Sequence, residues 1–297
     1  LKLENCHALK EKQSKIKLSH SKKILYLTLA RVFSEIAFVS WFEVVILSFV
    51  EGVTEYLPIS STGHLIIFSH LFGIAENPSV KSFNIIIQVG AILSVLFLYG
   101  RRFLKNNLKF YRNLMFAFIP AALIGVAVKS KIDLILGSVQ IVASALLLGG
   151  VILLFVEKLF HTKESKLTIE DLSLKQCLLI GVFQCFAFIP GVSRAAATII
   201  GGLSAGLNPK EATEFSFFLA VPTLAGAAFI KSVSAFSEFD FEFLKHCLGG
   251  LVLSFFFATL AIKFFIGILT RFGMKPFGYY RIALGGLLWI LILTGQL

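Results

Sequence analysis

Charge is scarce in this chain. Only 15% of its 297 residues are Asp, Glu, Lys or Arg, against about 25% in ordinary soluble domains, and that excludes a soluble globular fold. Cysteine is scarce as well. Cys6, Cys177, Cys185 and Cys247 have neither metal-ligand nor paired spacing, so no zinc module or disulfide framework is read, and buried free thiols are expected. Acid is scarcer than base, and the net charge is +11. No nucleic-acid partner follows from it, because the Lys and Arg residues gather in short stretches between apolar segments, as the positive-inside rule expects.

What is abundant is apolar surface. Hydrophobic residues make up 57% of the chain, with 32 Phe, and the mean hydropathy is +0.85. The class is a polytopic membrane protein. Residues 1–39 stand apart: 1–23 are basic and polar, and 24–39 are apolar but interrupted by Arg31 and Glu35. No signal-peptide cleavage site is evident. This stretch reads as a basic N-terminal extension compatible with an interfacial helix; its opening Leu fits a fragment or a literally translated alternative start. A single membrane-embedded domain is expected over 40–297.

Within that domain the apolar runs are 41–57, 65–72, 83–99, 114–128, 134–156, 174–189, 195–207, 215–230, 248–269 and 282–293. A spanning helix needs about 20 residues. Runs 65–72 and 195–207 are too short and read as second arms of re-entrant hairpins, each preceded by a first arm at 41–57 or 174–189. The remaining six are the expected spans. The basic stretches Arg101–Arg112 and Arg271…Lys275…Arg281 are assigned to the cytoplasm, and the acidic stretch Glu238, Asp240, Glu242 to the outside. That threading puts Ser40 and the C-terminus outside.

The most polar stretch is Glu51-Gly-Val-Thr-Glu55-Tyr-Leu-Pro58-Ile-Ser60-Ser61-Thr62-Gly63-His64. Charges inside a membrane segment are costly and face a bundle interior or a cavity. Glu51 and Glu55 share one helical face, Pro58 stops the helix, and the hydroxyl run can cap a second helix carrying His64. A second tip reads Pro190-Gly191-Val192-Ser193-Arg194-Ala195-Ala196-Ala197-Thr198. The pairs Pro58/Pro190 and Ser61/Ser193 are each offset by 132 residues. The fold expected is therefore all-α, an inverted-topology repeat with two re-entrant helical hairpins and about six spanning helices, the halves at about 40–156 and 174–297. A helix N-terminus beside the Arg194 guanidinium is an anion site suited to phosphate, with Thr198 one turn on.

These two motifs, with Gln184-Cys185 and Glu214–Pro222, resemble the undecaprenyl-diphosphate phosphatase (bacitracin-resistance) family from about Ser40 onward. One departure stands out: the family usually carries Ser-Gly after the Arg, where this chain has Ala195-Ala196. The resemblance implies a multi-pass enzyme of the bacterial cytoplasmic membrane, its site opening outward. It would remove the terminal phosphate of a C55 polyprenyl diphosphate, recycling the carrier lipid for cell-wall synthesis and protecting against bacitracin. It also implies help from a divalent cation, magnesium or calcium. A homodimer is a further expectation.

Under that reading Arg194, Ser193 and backbone N–H groups hold the diphosphate. Ser61 attacks phosphorus or positions the attacking water, and His64 is general base or acid. Glu51 and Glu55 bind the cation, orient His64 or simply neutralise Arg194. Ser60 and Thr62 join the substrate-binding set, with Ser60 also readable as a helix cap and Ser193 as cap or ligand. Thr198 bonds a phosphate oxygen. Gln184 reads as a packing hydrogen bond and Glu214 as a helix cap. A polyprenyl-phosphate transporter or flippase could use the same anion site but needs no nucleophile–base pair. A channel with a carboxylate ring leaves the Pro-Gly-x-Ser-Arg tip without a purpose.

Overall fold

The computed structural model describes residues 39–105, 107–135, 137–160, 164–235 and 241–296. The N-terminal extension up to residue 38, with Cys6, and the acidic pair Glu238 and Asp240 lie outside the described residues. Every regular element among them is helical. The first arm α1 (Trp41–Thr54) turns at Pro58 into α2 (Ser61–Leu71); then come α3 (Pro78–Leu104), α4 (Leu108–Ile135) and α5 (Val139–Leu159). A 3-10 turn at Ile169–Asp171 leads into α6 (Leu174–Cys185), a second 3-10 turn (Phe186–Phe188) and α7 (Arg194–Ser204). The chain closes with α8 (Pro209–Ala235), α9 (Phe241–Phe272) and α10 (Lys275–Leu293).

Length sorts these helices. The arms α1, α2, α6 and α7 have 14, 11, 12 and 11 residues, or roughly 16–21 Å at 1.5 Å per residue. The bilayer core is about 30 Å thick, so none of them crosses it. Six helices are long and apolar enough: Pro78–Leu104, Leu108–Val128, Val139–Leu159, Pro209–Ile230, Phe241–Phe272 and Lys275–Leu293. They are the six expected spans, five of them lengthened and the third shifted toward the C-terminus. Large apolar side chains such as Phe97, Leu148, Phe229 and Phe264 are about two-thirds exposed (68–71%), which fits a surface solvated by lipid rather than by water.

Three sequence expectations are corrected. Position 134 belongs to the end of α4, because Ser138 caps α5 by accepting from the Ile141 amide (3.3 Å). Glu214 caps nothing. Helix α8 starts at Pro209, and Asn208 caps it by accepting from the Glu211 N–H (3.0 Å). Arg281 is no loop cation: α10 begins at Lys275, and Arg281 is wholly buried within it.

The short arms approach their neighbours through glycine. A Cβ on Gly52 of α1 would lie 2.7 Å from the Ser254 carbonyl of α9, and one on Gly181 of α6 would lie 2.4 Å from the Ala117 carbonyl of α4. Small residues permit this close backbone packing in lipid, where no hydrophobic force drives helices together. Helices α5 and α10 pack along one another, and α3 packs against α8 and α9.

The connection between α5 and α6 is pinned from three helices. Arg102 at the end of α3 pairs with Glu170 (3.0 Å), Asn113 of α4 donates to the Ile169 carbonyl (2.8 Å), and Glu211 of α8 accepts from the Ile169 amide (3.1 Å). Within the turn the Thr168 hydroxyl donates to Asp171 (2.6 Å), and that bond holds the Asp171 carboxyl below its ordinary range. Cys177 and Cys247 are buried free thiols, and Cys185 is a half-buried one.

Candidate active site

Each hairpin tip is a helix start forced by one strained serine. Ser60 has φ 73° and Ser193 has φ 75°, the two non-glycine residues with positive φ among those described. The left-handed region costs an L-residue about 1–3 kcal/mol, and such strain concentrates at functional sites. Each serine offsets part of that cost by capping: Ser60 Oγ accepts from the Gly63 N–H (3.2 Å), and Ser193 Oγ from the Ala196 N–H (3.1 Å). The structural equivalents are therefore Ser60 and Ser193, not Ser61 and Ser193. Between proline and cap the second tip carries one residue more, and Gly191 (φ 95°) turns it.

The two tips meet. Ser193 Oγ donates to the Leu57 carbonyl (3.4 Å). The Arg194 guanidinium reaches Glu55 Oε1 through Nη2 (2.9 Å) and Nε (3.3 Å), and its Nη1 donates to the Ser216 carbonyl of α8 (2.9 Å). The side chains of this pair are only 9% and 4% exposed. The ring of buried Tyr56 lies 5.7 Å from the guanidinium carbon, within cation–π range. The second oxygen of Glu55 accepts the Ser61 hydroxyl. A candidate nucleophile, a carboxylate and a cation thus form one chain of contacts, Ser61–Glu55–Arg194, drawn from both hairpins.

They line a polar pocket of about 190 Å³, together with Ser60, Thr62 and Ser193. Ligand pockets commonly measure roughly 300–1,000 Å³, so this one suits a headgroup rather than a whole lipid. Three further polar residues face it that the motifs did not single out for binding: Gln88 of α3, Gln184 of α6 and Thr223 of α8. Gln184 bonds Thr223 (3.2 Å), and its other amide atom is buried without a partner among the described residues. A lone polar residue in an apolar run was the available signal for Gln88 and Thr223.

Three of the expected site residues do not reach that pocket. His64 Nδ1 donates to the Ser60 carbonyl (2.7 Å), which fixes the tautomer of a neutral ring; Nε2 then accepts from the Tyr280 hydroxyl (2.7 Å), with the two rings stacked. Neither carboxylate orients His64. Glu51 is wholly buried one turn from Glu55, and neither of its oxygens accepts a hydrogen bond among the described residues. Thr198 is buried under Arg194, bonded to the Arg194 carbonyl (2.8 Å) and to Ser216 Oγ (2.6 Å). Ala195 and Ala196 are buried and also stand off the pocket, so a hydroxyl at either position would not face it.

One residue braces both tips against α5. Buried Arg281 donates to Pro58 of the first tip (3.1 Å), to Gly191 and Val192 of the second (both 2.9 Å), and to Ala145 of α5 (2.9 Å), with Leu146 at 3.5 Å. A buried charge is tolerable only when its hydrogen-bonding capacity is met, and here carbonyl dipoles meet it. Gly149 leaves the room: a Cβ there would lie 2.1 Å from Nη2.

A multi-pass membrane protein with two broken helices converging on a cationic, hydroxyl-lined pocket is the class these features define. The family model described as Bacitracin resistance protein BacA matches residues 44–287, and the chain belongs to that family. It is 49% identical over 258 residues to an undecaprenyl-diphosphatase of Bdellovibrio bacteriovorus, covering 86% of this chain and 98% of that one. It is 47% identical over 255 residues to one from Flavobacterium johnsoniae (84% and 95%) and 43% identical over 275 residues to one from Porphyromonas gingivalis (85% and 97%).

Proposed function

We propose that this protein is an undecaprenyl-diphosphate phosphatase, hydrolysing the C55 polyprenyl diphosphate to its monophosphate and phosphate. In the cell this recycles the carrier lipid for peptidoglycan synthesis and confers bacitracin resistance. The observation that carries the reading is the Ser61–Glu55–Arg194 chain in one pocket. A carrier of the same lipid would need the cation and hydroxyls, but not a hydroxyl donating to a carboxylate.

Phosphoryl transfer asks mainly for positioning and charge neutralisation. Arg194 and Ser193 receive the diphosphate, with Ser60 and Thr62 on the same wall. Either Ser61 Oγ or a water held by it attacks the terminal phosphorus. As that P–O bond forms, the attacking O–H proton passes to Glu55, the bridging P–O bond breaks, and its electron pair leaves on the polyprenyl monophosphate. Where Ser61 is the nucleophile, water then cleaves the phosphoserine. We assign the base to Glu55 because the His64 nitrogens are engaged by Ser60 and Tyr280; His64 and Thr198 act by holding α2 and Arg194 in place.

The divalent cation implied by the family finds a partial donor set. No cluster of three or more His, Cys, Asp or Glu occurs among the described residues, but magnesium is commonly held by one or two carboxylates plus substrate phosphates. Glu55 at the pocket wall, with Glu51 buried one turn behind it and against its carboxyl, would supply the two carboxylates. Bound there, the cation would neutralise charge on the phosphate oxygens.

The same reading makes the protein a resident of the bacterial cytoplasmic membrane, its halves of opposite topology, the basic α3–α4 turn inside and the pocket open to the outer side. A homodimer is part of this proposal. The test is phosphate release from C55 diphosphate by purified protein, with Ser61→Ala, Glu55→Gln and Arg194→Ala beside the parent. Loss of turnover in all three is expected; undiminished hydrolysis in all three overturns the site, and binding without hydrolysis by the parent favours a carrier.

A further inference from the structure

The polar pocket is too small for a 55-carbon chain, so the chain must leave it along one of the apolar cavities beside it. Three candidates surround the hairpin tips. The largest, about 620 Å³ between α5, α6, α7 and α10, meets the polar pocket at Ile189 alone, and the second tip stands between the two. A second, about 360 Å³, touches it at Thr62 and Gln88 but interrupts its apolar lining with Ser69, His70, Lys81 and Asn84, a wall less suited to hydrocarbon. The third, about 330 Å³, lies between α3, α4 and α8 and shares four residues with the polar pocket: Gln88, Phe188, Thr223 and Ala227.

Resting on the phosphatase reading, we propose that this third groove binds the polyprenyl tail while the diphosphate sits in the pocket. Its far wall is apolar, with Phe118, Ala122, Gly226 and Ile230, as an isoprenoid requires. The polar side chains at the junction, Gln88 and Thr223, stand where the charged head gives way to hydrocarbon. Gly226 keeps the groove open: the atom nearest to an added Cβ is the Phe118 ring carbon at 3.9 Å, ordinary contact distance. A Cβ there meets no backbone of a neighbouring helix within 4 Å, so a larger side chain can start out from it into the groove.

The groove therefore sets the preference for a long chain over a short one. The experiment compares kcat/KM for a C55 diphosphate and a C10 diphosphate in the parent, in Gly226→Leu and in Ala122→Leu. The C10 rate reports that the headgroup site is folded and working. The expected result is at least a tenfold fall in the C55-to-C10 ratio for both variants, carried mainly by KM. Ser144→Phe, which narrows the large α5–α10 cavity, should leave the ratio at the parent value. If the ratio falls for Ser144→Phe and not for the other two, or if the groove variants lower both substrates equally or neither, the groove is occupied by ordinary membrane lipid and the proposal is overturned. If the parent releases phosphate from neither substrate, it is the phosphatase reading that fails, and the groove falls with it.

Discussion

The guanidinium of Arg194 closes on Glu55 Oε1 through Nη2 at 2.9 Å and Nε at 3.3 Å, leaving Oε2 for Ser61. One carboxylate thereby serves both hairpins. Substituting Glu55→Gln keeps the shape and removes the proton acceptor, so kcat should fall about 10²–10⁴-fold, the range of a lost general base. Tyr280→Phe, which frees only His64 Nε2, should change kcat less than tenfold. Steady-state phosphate release checks both; the reverse order would return the base to His64.

Arg194→Lys keeps the charge but loses the planar fork that spans Glu55 and Ser216. Its KM for the diphosphate should rise about tenfold or more, since an ammonium cannot reproduce the planar, bidentate geometry of the guanidinium. Titration of initial rates against substrate tests this.

The capping serines can be separated from their strain. At Ser193, with φ 75°, glycine adopts the backbone freely and forfeits only a few tenths of a kcal/mol of cap. Valine loses the cap and is β-branched in a region it avoids, so Ser193→Val should destabilise by about 2 kcal/mol or more. Thermal midpoints in detergent should place the glycine variant level with or above the parent and the valine variant below both.

Much of this was legible beforehand. The second hairpin arms follow from their short runs and the first arms from the polar tips that end them. Those tips stand out as charges placed where charges are costly, and the six spans are the runs that remain. The rest was hidden for physical reasons. Gly191 adds a residue before the second cap, which shifted the serine correspondence by one. Gln88 and Thr223 come from spans with no local motif and reach the pocket only through packing. Arg281 mimics a loop cation in the sequence because its acceptors, the carbonyls of residues 58, 145, 191 and 192, have no side-chain signature.

Arg281→Lys should show how much that arrangement matters. Lysine has three donors in place of five, and each buried carbonyl left unsatisfied costs about 1–3 kcal/mol. The variant should lose several kcal/mol of stability, and Gly149→Ala should lose stability through the same contact. Unchanged melting of both would reject the brace.

Glu51 offers a test of the cation. With no donor bonded to its oxygens among the described residues, Glu51→Gln should be tolerated structurally, yet activity should no longer respond to added magnesium. In the parent, chelation should lower turnover and magnesium restore it. An identical magnesium response in parent and variant would remove Glu51 from the cation site.

The brace is carried by α10, the final helix of the described chain, whereas both tips that it ties together are translated earlier. During synthesis the residues of both tips therefore emerge from the ribosome before Arg281 can join them. Until α10 inserts, the two tips lack the guanidinium that ties their carbonyls together, so the order of membrane insertion sets when the pocket acquires its final rigidity.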